Sequence, residues 1–287
     1  MPPKRVDEFD VYEFHVTIAE EKGLYTAVGR DAKKQEIRRV AAKNLDEVRT
    51  EIRALLSQLS DNFVGYPGAI NQFLRAFPGG FEDPFFFADE RNYKLKAHDK
   101  AKTLLSNEAV SQAIAKGEFA KLADSARKVF INVIFPNEGM AFKSFVSIEK
   151  NAKAFAPLFY ELLYGEDFDA AFDNMVSFLS PGGAAKWTIM TYWPFILNPE
   201  KHIFMKPEVA QECARRLGDG FDYESKPSST IYRKYLEFSA RLSNGIASLK
   251  PRDNIDVQTF MYAVGKSGFV RDGVARRDKW IAAQQNG

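Results

Sequence analysis

The hydrophobic period changes once along this chain, and that change limits what it can fold into. Between residues 11 and 41 apolar and polar side chains alternate, whereas from 83 onward apolar residues recur every third or fourth position. Val11-Tyr-Glu-Phe-His-Val-Thr-Ile18 alternates, Glu20-Glu-Lys-Gly23 supplies a turn, 24–28 reads as a second strand and 36–41 as a third. Asn44 then caps a helix with Leu45, Val48, Ile52, Leu55, Leu56 and Leu59 on one face and Glu47 at the capping-box position. The helical period recurs over 85–105, 107–116, 118–135, 138–164 with a break near Pro157, 167–179, 184–197, 207–217, 231–249 and 254–264.

Between the two regimes, 63–84 holds Gly65, Pro67, Gly68, Pro78, Gly79 and Gly80 and reads as a linker or functional loop. Its Phe63, Tyr66, Phe73, Phe77 and Phe81 either stack on bases or pin the loop to the core. The expected fold class is α+β. A small three-stranded antiparallel sheet plus helix (1–62) is followed by the linker (63–84) and a mainly α-helical domain (85–287).

Composition narrows the function classes. Hydrophobic content of 45% with 25 Phe predicts a substantial aromatic-rich core. Cys213 is the only cysteine, which excludes a disulfide framework and a zinc site built on cysteine pairs. His15, His98 and His202 form no paired metal motif, so neither a metal nor a cofactor is expected. There is no Walker-type glycine loop and no Gly-x-Ser-x-Gly elbow, which counts against a nucleotide-driven motor and a serine hydrolase. The net charge of +2 does not by itself argue for nucleic acid. Residues 30–53 and 271–279 are locally basic and 161–173 acidic, as solvated faces or as contact surfaces. With no signal-type start and no long apolar run, the expectation is a soluble, cytoplasmic protein without a membrane partner.

The most specific stretch is 178–218. Pro181-Gly182-Gly183-Ala184-Ala185-Lys186 reads as a small-residue turn opening a helix, where bare N–H groups would approach a phosphate. It resembles the helix-hairpin-helix DNA glycosylase superfamily, whose hairpin runs Pro-Gly-apolar-Gly-x-Lys-Thr-Ala and is followed at this spacing by Arg-Leu-Gly, here Arg216-Leu217-Gly218. Gly182 and Lys186 coincide with the pattern; Ala184 stands at its second glycine, and Trp187-Thr188 at its Thr-Ala pair.

The resemblance implies that Gly182, Gly183, Ala184 and Ala185 hold the DNA backbone and that Lys186 attacks the sugar C1′. It also implies an aspartate to support positive charge on the sugar, but Phe204-Met205-Lys206 occupies that place, with Glu200 and Glu208 flanking it. Another acid enters, or Lys206 changes the chemistry, or catalysis is lost. Asp256, on the first turn of the helix that Asp253 would cap, is the candidate acid, or else serves the helix dipole. Gln258, His202 and Trp187 are candidates for reading an extruded base. Glu90, Lys94 and His98 share a helix face, as a polar site wall or as a solvated salt-bridged stripe.

The strand-strand-strand-helix unit is similar to the amino-terminal DNA-binding domains of tyrosine-type integrases, which implies phosphate or base contacts from Arg30, Lys33, Lys34, Arg38 and Arg39. Alternatively the sheet packs as a lid or dimer surface. The combined expectation is a protein that binds double-stranded DNA as a glycosylase of repair or phage defence, excising a modified or damaged base with or without a lyase step. Its rivals are a non-catalytic DNA-binding or interaction protein that uses the hairpin only to hold phosphates, and a helical protein whose Pro-Gly-Gly turn is ordinary chain reversal.

Overall fold

The computed structural model describes residues 3–60 and 65–285. Four strands, β1 (Lys4–Val11), β2 (Phe14–Glu21), β3 (Leu24–Arg30) and β4 (Glu36–Ala42), form one antiparallel sheet in chain order. The three-stranded expectation is therefore one strand short. The alternation beginning at Val11 crosses a reversal in which Tyr12 adopts φ +54°, so Val11 closes β1 and Phe14 opens β2. β1 escapes hydrophobic patterning because Lys4, Arg5, Asp7, Glu8 and Asp10 leave it almost no apolar face.

One face of the sheet, carrying Phe14, Val16, Ile18, Ala27 and Val40, packs on Val48, Ile52 and Leu56 of helix α1 (Leu45–Leu59). Burying each large aliphatic side chain stabilises by about 1.5–3 kcal/mol. Asn44 caps α1 as expected, its side chain accepting from the N–H groups of Asp46 and Glu47.

The rest is helical: α2 (Tyr66–Ala76), α3 (84–104), α4 (Asn107–Ala115), α5 (Phe119–Lys128), α6 (Pro136–Val146), α7 (Glu149–Tyr164), α8 (Phe168–Leu179), α9 (Trp187–Leu197), α10 (Pro207–Leu217), α11 (Ser229–Gly245), α12 (Asn254–Gly265) and α13 (Phe269–Gln285). Several expectations change. Most of 63–84 is not a loop, because α2 starts within it, with Pro67 in the first turn where its missing N–H costs nothing. Phe73, Phe77 and Phe81 are fully buried, with Phe73 and Phe81 ring centroids 4.9 Å apart, so they pin the core and are not open to bases; Phe63 lies outside the described residues. The break in 138–164 falls at Ser147-Ile148, and Pro157 sits within α7. The segment 129–135 leaves the helix, and α13 continues the fold beyond 264.

α9 is the central rod. Every residue from Trp187 to Ile196 is buried, as its nearly unbroken apolar run requires. Trp193 packs against Phe130, Phe142, Phe155 and Phe159. Among the described residues no helix is long and apolar enough to cross a membrane, and no cluster of His, Cys, Asp and Glu could hold a metal ion.

Candidate functional site

The segment joining α9 to α10 is extended, and its backbone groups must find partners outside any helix or sheet. Side-chain hydroxyls supply them. Tyr232 Oη accepts from Ile203 N–H at 3.2 Å and donates to the Ile203 carbonyl at 3.0 Å, Tyr235 Oη donates to the Phe204 carbonyl, and Thr191 Oγ1 accepts from Met205 N–H at 3.0 Å. Ile203, Phe204 and Met205 are thereby fixed in the core, and Lys206, the next residue, opens α10 at the wall of a cavity. At the far end of α12, a Cβ on Gly265 would fall 2.1 Å from the Val209 carbonyl, so only glycine lets α12 lie this close to α10.

The cavity has a volume of about 580 Å³ and is lined by Glu90, Tyr93 and Lys94 of α3, the loop residues 130–133, Lys206, Gln258 and Tyr262 of α12, and Phe269. Lys206 is half-buried, its Nζ lying 5.0 Å from the Phe135 ring centroid and 5.3 Å from that of Tyr262. No hydrogen bond or ion pair holds that amine among the described residues. Burial pushes its pKa below the usual lysine range; Glu138 opposes the shift, and the Lys266 and Lys94 charges add to it.

Lys94 differs. It is only 4% exposed, yet its Nζ donates to Thr259 Oγ1 at 2.7 Å and to Glu90 Oε2 at 3.3 Å. Burial lowers its pKa too, against the raising effects of Glu90 and Asp256. The phenols of Tyr93 and Tyr262 are held protonated, first by burial and then by Glu90. Gln258 is 6% exposed, and its amide makes no hydrogen bond to any described residue.

α3 orients this wall through an irregularity. It begins as a turn of α-helix at Pro84–Phe86, widens to a π turn at Phe87–Arg91 and resumes as Asn92–Leu104. Along the π turn, Asp89 pairs with Arg276 at 2.7 Å, Glu90 lines the cavity while also lying 3.8 Å from Arg276, and Arg91 turns to Asp253 and Asp256, each at 2.6 Å. Such turns recur at functional sites.

Asp256 is fully buried and saturated. It receives Arg91, the Arg252 backbone N–H at 3.0 Å and the Arg252 guanidinium at 2.8 and 3.1 Å, and it is not among the cavity-lining residues. Asp253 caps α12 as expected and joins the same network. His98 leaves the Glu90-Lys94 stripe, its Nδ1–H donating to the Ile196 carbonyl at 2.7 Å at the end of α9. His202 lies away from the cavity, stacked on Tyr232 at an interplanar angle of 4°; burial lowers its pKa to about 4, and its Nδ1 has no partner. Trp187 is core, its indole N–H donating to the Glu224 carbonyl at 2.8 Å.

The Pro181 turn closes on itself. Gly183, at φ +65°, donates to Ser180 O at 2.9 Å, Ala184 N–H reaches Leu179 O at 3.2 Å, and Lys186 N–H reaches Ala184 O at 2.8 Å. This is a Schellman cap of α8, and it engages N–H groups expected to face a phosphate. Ala184 is fully buried, Ala185 is half-buried, and a Cβ on Gly182 would lie 2.3 Å from Phe145. Lys186 is exposed at the start of α9 and does not line the cavity. Arg38 and Arg39 are exposed on β4, with Arg39 paired to Glu36 at 2.6 Å.

Of the expected site residues, Lys206 and Gln258 therefore meet in one cavity, while Lys186, Asp256, His202 and Trp187 do not line it. Tyr262, Phe269 and the 130–133 loop were not singled out in the sequence, and nothing but their apolar or aromatic character marks them there. No protein-family model, curated protein or solved structure matches the chain.

Proposed function

We propose that this chain is a DNA glycosylase of helix-hairpin-helix type, and that an extruded modified base occupies the cavity while the Lys206 amine acts on its sugar. What carries this reading is Lys206: a half-buried amine with no anionic partner among the described residues, near the Phe135 and Tyr262 rings, on the wall of a cavity that Gln258 also lines. An amine relieved of its proton by desolvation is a competent nucleophile near neutral pH. The Pro181 turn spends its own N–H groups within the chain, so the contact to a backbone phosphate falls to Lys186, exposed at the start of α9. Arg38 and Arg39 extend the double-stranded DNA contact onto the sheet.

The amine bonds to C1′ as the glycosidic C–N bond breaks, and the base leaves with the bonding pair. The nitrogen sheds one proton to the departing base or to water, and ring opening of the resulting N,O-acetal, with the remaining N–H proton passing to the ring oxygen, gives an imine and a free sugar hydroxyl. Incubating the protein with a duplex containing an abasic site, whose C1′ is already an aldehyde, and adding borohydride should give a covalent adduct. Lys206→Ala should abolish the adduct and Lys186→Ala should retain it. Absence of an adduct with the native protein would end this reading.

A further inference from the structure

The cavity holds a second lysine that the nucleophile does not explain. Lys94 Nζ has three donors; Thr259 Oγ1 and Glu90 Oε2 take two, and among the described residues the third makes no hydrogen bond, with the Tyr93 ring centroid 5.4 Å away. A buried ammonium with a spare N–H at a cavity wall has hydrogen-bonding capacity to offer a ligand. Its setting is opposite to that of Lys206: Lys94 has a carboxylate partner, a hydroxyl and Asp256 nearby, whereas Lys206 has only rings and the more distant Glu138. Burial weakens the hold of both amines on a proton, but only Lys94 has a carboxylate and a hydroxyl to hold its ammonium, and groups of one type in differing settings can take opposite roles in acid–base chemistry.

Resting on the glycosylase reading, we propose that Lys94 is the general acid that protonates the departing base, with Glu90 and Thr259 holding its ammonium toward the cavity. The Lys206 lone pair forms the bond to C1′, and the C1′–N bond breaks with its pair passing to the base. Lys94 supplies the proton that pair takes up. The secondary ammonium formed on Lys206 then returns one proton to Lys94 through cavity water, so both lysines are restored in charge. Burial, which weakens the hold of Lys94 on its proton, suits it to this transfer.

The leaving group provides the test. A 7-methylguanine base is already cationic and leaves as a neutral molecule without a proton, whereas 8-oxoguanine, hypoxanthine and uracil need one. Excision of the uncharged bases by Lys94→Met should fall by about 100-fold or more, against a change within about threefold on 7-methylguanine, since general acids contribute 10²–10⁴. Glu90→Gln, which removes the carboxylate but keeps the shape, should show the same selectivity at about tenfold and serves if Lys94→Met does not fold. Equal losses on both kinds of base, or none, would overturn the assignment, as would a native protein that forms the abasic adduct yet releases no base. A native protein that forms no adduct removes the glycosylase reading, and the acid with it.

Discussion

Asp256 and Gln258 sit two positions apart on α12 and meet opposite fates. Asp256 turns into the protein, where Arg91 and Arg252 saturate its carboxylate; Gln258 lines the cavity, and its amide makes no hydrogen bond to any described residue. Both are polar, both are buried, and both stand on an otherwise apolar helix. A buried polar group whose bonds are all made inside the chain holds the fold, and one whose bonds are unmade is available to a ligand. The Pro181 turn falls on the first side of that division, with its N–H groups engaged within the chain.

Breaking the saturated side should cost most. Asp256→Ala leaves Arg91, 7% exposed, without one of its two carboxylates and strips three contacts from Arg252. Removing one member of such a network destabilises by about 3–5 kcal/mol, because the remaining charge stays buried. Urea unfolding should show that loss, and a change below about 1 kcal/mol would mean that the network contributes little beyond what solvent replaces.

His202 sharpens the comparison, because its Nδ1 is unsatisfied and yet it does not line the cavity of Lys206 and Gln258. Its Nδ1 has no hydrogen-bond partner among the described residues, and the ring packs against both Phe168 and Tyr232. The folded protein holds its pKa at about 4, below the usual 6.5, so the unfolded chain binds the proton more tightly. The stability this contributes is complete above pH 6.5 and is lost as pH falls from there toward 4. The loss reaches at most about 3 kcal/mol, from 1.36 kcal/mol per pKa unit. The melting temperature of the native protein should fall relative to that of His202→Phe over that interval; parallel curves would show that another group carries the acid sensitivity.

Much of the scaffold was legible in the sequence, and the reasons lie in particular residues. Asn44 and Asp253 announce their helices because a short polar side chain before an apolar run has one favourable use. The buried α9 is visible in its apolar run. β1 was hidden because five charges leave it no alternation, and the 63–84 stretch misled because glycine and proline also serve at helix starts. At the site, Lys206 was flagged only through a resemblance. Lys94 looked like one member of a solvated stripe, because an i, i+4 Glu-Lys pair has the same spacing whether its face meets water or protein. What decides between them is the π turn and the packing of α12 against α3, and neither is a property of local sequence.

The smallest effect on stability is expected at Gln258, and it bears on the comparison most directly. If the amide serves the fold, replacing it with an apolar side chain of similar volume should cost as much as any buried hydrogen bond, about 1 kcal/mol. If it serves a ligand, Gln258→Leu should leave stability within about 0.5 kcal/mol or raise it, since the amide gives up no hydrogen bond to the described residues and the leucine buries apolar surface. Excision should nevertheless weaken on bases whose edge the amide contacts, while adduct formation with an abasic duplex, which has no base to read, should keep its rate. A variant that loses stability and treats both duplexes alike would place Gln258 with Asp256, among the groups that hold the protein together.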